Sequence, residues 1–267
     1  MNIIEAMKER HSVRSFDGKG ISENAIQSLK EAAERSTSPF GGNVTVRLEK
    51  FDMKEGYRPS TYGMIRGAEY FFLIGMDDDE ASALTAGFQF EQVVLRAWQL
   101  GLGCCWIAAT FKGSDFDRGS RWPDGESLKI ICPVGVASRP SLMDKLARTA
   151  LGSKKRKPLD KIAFCGDFNH SPAADNRYYE ALQMLRLAPS STNSQPWRAL
   201  VDGDDVHFYY RPQSSLSIVD CGIGICHFYE TERFYGRSGE FRKADDIPAT
   251  PAGLKYLVTY RSTPIDK

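Results

Sequence analysis

Two short stretches carry residue types whose spacing suits ligand chemistry. Ala188-Pro-Ser-Ser-Thr-Asn-Ser-Gln-Pro-Trp197 concentrates side-chain amides and hydroxyls between two prolines. Ser190, Ser191, Asn193 and Gln195 offer donors and acceptors without charge, a set that suits a ring rich in carbonyls and nitrogens. Pro189 and Pro196 fix φ and disfavour helix just before them, so a helix arriving through Tyr179, Leu182, Leu185 and Arg186 must end in a stiff polar loop. The same composition also describes an ordinary helix-terminating turn. The second stretch is Arg10-His-Ser-Val-Arg14. Its two guanidiniums can converge on one anion if the first helix stops near His11 and the chain then runs extended. The alternative is a solvated basic helix end favoured by the helix dipole. A third feature, Lys154-Lys-Arg-Lys157 before Pro158, reads as a solvated patch, a nucleic-acid patch or a local phosphate site.

Composition narrows the partners. Across 267 residues Lys+Arg number 35 and Asp+Glu 34, a net charge of +1 that gives no global field for nucleic acid or an anionic membrane. Any anion site must be local. The longest apolar run, about Tyr70 to Met76, falls short of the ~20 residues of a membrane span. Glu5, Lys8, Glu9 and Arg10 stand where a signal peptide would be apolar, so a cytoplasmic protein is expected. Six cysteines sit mostly in apolar segments and read as buried thiols of a reducing compartment. Cys221, Cys226 and His227 lack paired zinc-ligand spacing, and no metal is predicted. The chain has neither a G-x-G-x-x-G opening a helix nor a Walker loop, which disfavours Rossmann and P-loop enzymes.

The elements that must position these residues follow from periodicity. An amphipathic helix is predicted from Asn2 to about His11, and a helix capped by Ser22 continues through Ile26, Leu29 and Ala33. Strands are predicted over Val44–Phe51, Glu69–Met76, Cys104–Ala108, Leu128–Ala137 and Leu254–Ser262. A strongly apolar helix runs from Ala86 to Gly101, Phe111–Glu126 is polar and loop-rich with room for a helical piece, and Asp144–Arg148 forms a short helical turn. Helix, Ser/Pro loop, strand and glycine-bounded helix then recur: Ile26–Gly101 is echoed by Arg177–Gly236. In both copies the second helix starts after one glycine and ends at another fourteen residues on, Gly87 to Gly101 and Gly222 to Gly236.

Taken together, Arg10-His-Ser-Val-Arg14, Gly101-Leu-Gly-Cys-Cys-Trp-Ile107, the run Lys154 to Pro158, Leu159-Asp-Lys-Ile162 and Ala188 to Trp197 resemble the FMN-dependent nitroreductase family. In ordinary members the proline-serine loop follows the first helices closely. Here Ser36 to Asn43 occupies that place in degenerate form, and the intact loop comes late. The resemblance therefore implies the branch in which a fused half-copy mimics the second subunit of a homodimer. It implies an α+β fold with mainly antiparallel sheets flanked by helices, in two pseudo-symmetric halves, 1–168 and 169–267, with one complete flavin site and one dead one. A monomer is then allowed without excluding a homodimer.

The same resemblance places the FMN phosphate and ribityl chain on Arg10, Ser12 and Arg14, with Lys154 and Arg156 closing over the phosphate. Pro189, Ser190, Ser191, Asn193 and Gln195 would face the flavin from the other side. The backbone of Trp106, Ala108 and Ala109 would approach flavin N5 and O4, Ala108 standing where better-known members often carry glutamate. Lys54, Arg58 and Arg66 are candidates for the pyrimidine edge, and Phe40, Tyr62 or Trp122 for an acceptor pocket. No catalytic side chain is implied, because the cofactor carries the chemistry. The activity implied is ping-pong transfer of two electrons from NAD(P)H to a small nitroaromatic or quinone. Flavin storage, or dehalogenation or flavin fragmentation on the same scaffold, stays open, as does a structural protein without flavin.

Overall fold

The computed structural model describes residues 1–51, 59–119, 121–138 and 155–263. The expected helical turn at Asp144–Arg148, together with Lys54, Arg58 and Lys154, lies outside them. Two sheets carry the chain. The first joins β1 (Val44–Lys50), β2 (Tyr70–Met76), β3 (Gly103–Cys104) and β4 (Ser127–Gly135) in the order β1-β2-β4-β3, all antiparallel. The second joins β5 (Ala163–Cys165), β6 (Trp197–Asp202), β7 (Asp205–Tyr210), β8 (Gly239–Arg242) and β9 (Lys255–Ser262) in the order β5-β6-β7-β9-β8. Only β5–β6 is parallel, and it brings a strand from the first-half range into the second half's sheet.

β2 shows why an apolar run becomes a strand rather than a membrane segment. Its side chains alternate between faces, as the strand period dictates. Phe72, Ile74 and Met76 enter the main core, while Phe71 and Leu73 enter a second cluster with Phe51, Phe116 and Ile131. With both faces covered, the sequence reads as continuous apolar residues. Among the described residues no helix is long and apolar enough to cross a membrane.

Two helices fill the space between the sheets: α3 (Glu80–Gln99) and the last helix, α6 (Ser217–Phe234). Both are buried over most of their circumference, which accounts for apolar residues on every side. Neither begins after a glycine, contrary to the expectation. α3 starts seven residues before Gly87, where Asp79 accepts the Ser82 N–H at 2.9 Å, and α6 starts at Ser217. Gly87 and Gly222 instead form the crossing point of the two helices. A Cβ built on Gly87 would lie 2.0 Å from the Val219 carbonyl oxygen, and one on Gly222 would lie 2.2 Å from that of Leu84. The closing glycines do match. Gly101 and Gly236 each sit two residues past their helix, at φ 77° and 71°, the left-handed position glycine takes most readily.

The remaining α-helices among the described residues are α1 (Ile3–Glu9), α2 (Glu23–Arg35), α4 (Gly113–Asp117) and α5 (Tyr179–Leu187). Ser22 caps α2 by accepting the Ala25 N–H at 3.3 Å, and α4 lies within the stretch read as loop-rich. The strand expected over Cys104–Ala108 stops at Cys104. Only Ile107 returns to bridge Ile131, because Trp106 turns its indole back toward α3.

Candidate functional site

The Arg10–Arg14 stretch extends because α1 ends before it. Asn2 and Glu5 cap the start of α1 reciprocally, and at Arg10 the backbone leaves the helix with φ −55°, ψ 131°. Ser12 then bridges Cys104, the Val13 N–H donates to the Cys104 carbonyl at 2.9 Å, and the Arg66 N–H donates to the Arg14 carbonyl at 2.9 Å. Alternation along this ribbon buries Val13 and leaves Arg10, Ser12 and Arg14 on the wall of a cavity of ≈ 760 Å³. Val13 needs Gly103 behind it, where a Cβ would stand 2.5 Å from Val13 Cγ2.

The opposite wall is the loop after α5, and it is tightly constrained. Thr192, Asn193 and Gln195 sit at φ 50°, 57° and 48°. That region is sparsely populated and strained for a β-branched threonine. Several bonds hold the shape. Gln195 N–H donates to Ser190 Oγ at 2.9 Å, Ser191 N–H donates to Asp220 Oδ1 at 2.9 Å, and Ser194 Oγ donates to Asp220 Oδ2 at 3.3 Å. From the basic run, Arg156 Nη1 donates to Asn193 Oδ1 at 3.0 Å, Lys157 N–H donates to Gln195 Oε1 at 2.7 Å, and Lys157 Nζ donates to the Ser194 carbonyl at 2.7 Å. Arg156 also closes the end of α5, with Nε and Nη2 on the Leu187 carbonyl at 3.2 and 3.1 Å.

Of the residues expected to hold a cofactor, the cavity brings together Arg10, Ser12, Arg14, Trp106, Ala108, Ala109, Arg156, Pro189, Ser190, Ser191 and Asn193. Gln195 is not on its wall. Only 2% exposed, it turns inward to bind Lys157 and to donate to the Asn193 carbonyl at 3.1 Å, so it is a strut of the loop. Of the pyrimidine-edge candidates only Arg66 is described, and it pairs with the Arg14 ribbon through its backbone. The three aromatic candidates are also elsewhere. Phe40 packs edge-on against Phe88 and Phe241, Trp122 covers Gly75 under Arg47, and Tyr62 is 67% exposed. Met64, two residues on from Tyr62, does reach the wall.

The site's electrostatics favour an anion. Burial, with Arg10 and Arg186 nearby, pushes the Arg156 guanidinium down to about 10. Arg10 Nε is buried with no hydrogen-bond partner among the described residues. Converging cations and an unsatisfied donor are what a phosphate would relieve.

Sequence reading missed two charged residues, Asp220 and Glu91. Glu91 is fully buried on α3 and accepts from Trp106 Nε1 at 2.8 Å, while its other oxygen meets His227 Nε2 of α6 at 2.9 Å. His227 Nδ1 donates to the Met184 carbonyl at 3.2 Å, so Glu91, itself held by His227, fixes Trp106 on the cavity wall. The signal was present in each case, as a charged residue set among apolar neighbours within a buried helix must find a partner.

The family model described as "Putative TM nitroreductase" matches residues 2–231. The chain belongs to this family. Among solved structures, the chain is similar to "a putative nitroreductase" from Thermotoga maritima at 20% identity and TM-score 0.61, covering 98% of this chain and 93% of that one. That likeness shows a shared nitroreductase fold, the α+β arrangement of antiparallel sheets flanked by helices. Two shorter nitroreductases match less well. One from Bacteroides fragilis with bound FMN has 16% identity, TM-score 0.42 and coverage of 53% and 91%. An FMN-dependent one from Clostridium difficile has 18% identity, TM-score 0.43 and coverage of 52% and 89%. No curated protein matches the chain.

Proposed function

We propose that this nitroreductase-family protein is an FMN-dependent oxidoreductase that takes two electrons from NAD(P)H and passes them, in separate half-reactions, to a small nitroaromatic or quinone-like acceptor. One observation carries the reading. Arg10, Ser12 and Arg14 from the start of the chain, Arg156 from its middle, and the Ser190–Asn193 loop from its later part converge on one cavity, with an unsatisfied Arg10 donor and a destabilised Arg156 cation. This donor set fits a phosphorylated, carbonyl-rich ring. When bound, FMN would supply the two-electron chemistry, and the protein's residues hold and tune it.

In this reading Arg10, Arg14 and Arg156 bind the phosphate as forked donors. The hydroxyls of Ser12, Ser190 and Ser191 and the amide of Asn193 satisfy the polar edge. Trp106, locked by Glu91, fixes the wall formed by the backbone of Ala108 and Ala109. Positive charge gathered at this site favours an electron-rich ring.

We also infer that residues 1–168 and 169–267 stand in for the two subunits of a homodimer. The support is the Gly87–Gly222 crossing and the matched glycines at 101 and 236. The degenerate Ser36–Asn43 loop meets Thr85, two residues before Gly87, and Phe40, Phe88, Tyr229 and Phe241 pack into one aromatic cluster beside it. Within that loop the Ser36, Ser38 and Asn43 side chains are engaged by Ala33, Thr85 and Asp77.

The test is direct. Purified protein should be yellow and release FMN on denaturation, and NADH or NADPH should bleach it under anaerobic conditions. A yellow protein bleached by neither would point to flavin storage, and a colourless protein that cannot be reconstituted would end the flavin reading. Arg14→Ala should lower FMN affinity about 10–100-fold by deleting a charged phosphate donor, and full occupancy in that variant would refute the phosphate assignment.

A further inference from the structure

Asp220 lies in the first turn of α6 and lines the cavity, yet it is only 4% exposed. The other carboxylate on the wall, Glu9, is exposed. Asp220 accepts the Ser191 N–H and the Ser194 hydroxyl, the two groups that bracket the left-handed residues Thr192 and Asn193. It therefore clamps the most strained part of the loop.

Internal comparison sets it apart. Asp220 is two residues before Gly222, and the matching position before Gly87 is Thr85, whose hydroxyl meets Ser38 Oγ at 2.9 Å and donates to the Gly41 carbonyl. The anchoring position recurs in both halves. Only the position whose loop faces the cavity uses an ionisable group there.

No cation neutralises it among the described residues. The cavity wall presents Lys8, Arg10, His11, Arg14 and Arg156, and none forms an ion pair with Asp220. Behind the loop, Lys157 is engaged with the Ser194 and Gln195 carbonyls, and Arg198 with those of Gln195 and Trp197. Within α6 the adjacent titratable group is the buried Cys221 thiol, and α3 brings glycine and leucine backbone to the crossing.

We propose that Asp220 is a positioning residue for the cofactor loop and that it takes up a proton when the cavity fills, linking flavin binding to pH. The proposal rests on the flavin reading above. Burial already pushes the Asp220 carboxyl up to about 7, against the lowering effect of its two hydrogen bonds. A bound ring strips the carboxylate of remaining water, which disfavours the charged form further. The neutral carboxyl can still accept the Ser191 N–H through its carbonyl oxygen, so the loop stays anchored.

The sign follows from linkage. A group whose pKa rises on binding favours the complex below its value in the free protein and loses that contribution as pH climbs toward its value in the complex. If filling the cavity raises the value by one unit, affinity should fall about eightfold between roughly pH 6 and 9, with about half a proton taken up per site near pH 7.5.

The experiment titrates apo-protein with FMN and with riboflavin, which lacks the titrating phosphate, across that range, for wild type, Asp220→Asn and Asp220→Thr. Proton uptake on adding riboflavin to wild type is measured in parallel with a pH indicator, so the conclusion does not depend on either variant folding. A riboflavin affinity that falls with pH in wild type, is flat in Asp220→Asn, and comes with proton uptake supports the proposal. Zero uptake, or the same pH profile in wild type and Asp220→Asn, overturns it while leaving the flavin reading intact. If wild type binds neither FMN nor riboflavin at any pH, the cofactor reading fails and the linkage fails with it.

Discussion

Gly87→Ala would test the helix crossing that brings the two walls of the cavity together. The added methyl would stand 2.0 Å from the Val219 carbonyl oxygen, 2.9 Å from its carbon and 3.0 Å from Gly222 Cα. These are backbone atoms of a buried helix and cannot rotate aside, so reaching even a tight contact of about 3 Å requires the helices to part by about 1 Å. Alanine gains about 1 kcal/mol of helix propensity over glycine. Overpacking a close-packed core costs about 1–3 kcal/mol, and a clash with backbone belongs at the top of that range. We expect a net loss of about 2 kcal/mol, read as a lower urea midpoint at unchanged slope. Gly222→Ala should cost a similar amount. The double variant should cost less than the sum, because the first methyl has already opened the shared crossing. Gly113→Ala, with nothing within 4 Å of the new methyl, is the control and should stay within about 0.5 kcal/mol of wild type. Because Val219, Asp220 and Ile223 of α6 line the cavity, Gly87→Ala should also weaken FMN binding. A Gly87→Ala protein as stable as wild type, with unchanged FMN affinity, would refute the close crossing.

Two further outcomes follow from the site. Asn193→Ala removes the acceptor for Arg156 and should lower FMN affinity at least about tenfold in a fluorescence titration. Asn43→Ala loses only a bond to Asp77 in the degenerate loop and should leave that affinity unchanged. Glu91→Ala strands Trp106 Nε1 and His227 inside the core and should cost about 3–5 kcal/mol in denaturant unfolding. Glu91→Gln should cost less than about 1.5 kcal/mol, since its oxygen can accept from Trp106 while its amide donates to a neutral His227. Equal losses in the two variants would show that the carboxylate's charge, rather than its hydrogen-bond geometry, holds the pair.

Much of this site was legible because its cavity-lining groups are gathered in short runs. Arg10 to Arg14 and Ala188 to Trp197 each depend on a local break in helix, which sequence signals well. That Gln195 turns toward Lys157 and its own loop was not legible, because an uncharged amide can serve a ligand or its own loop equally, and the left-handed turn at Thr192 and Asn193 is set by the fold. The start of α3 was placed late because its cap is the last aspartate of the run Asp77-Asp-Asp79, and because Gly87 resembles punctuation until a second helix is seen lying on it. Asp220 and Glu91 are partnered across 15 or more residues, so their roles exist only once the chain has folded.

The unequal anchors at Thr85 and Asp220 bear on how such a protein can change. In a symmetric homodimer every substitution at an isologous contact appears twice, so a gain at one site must be tolerated at its twin. Covalent linkage of two related halves lifts that constraint. A hydroxyl can serve a loop beside an aromatic cluster, while a carboxyl at the matching position serves a polar cavity. Under the two-subunit reading proposed above, each position can then mutate alone, and a loop that faces no cavity is free to specialise in holding the halves together.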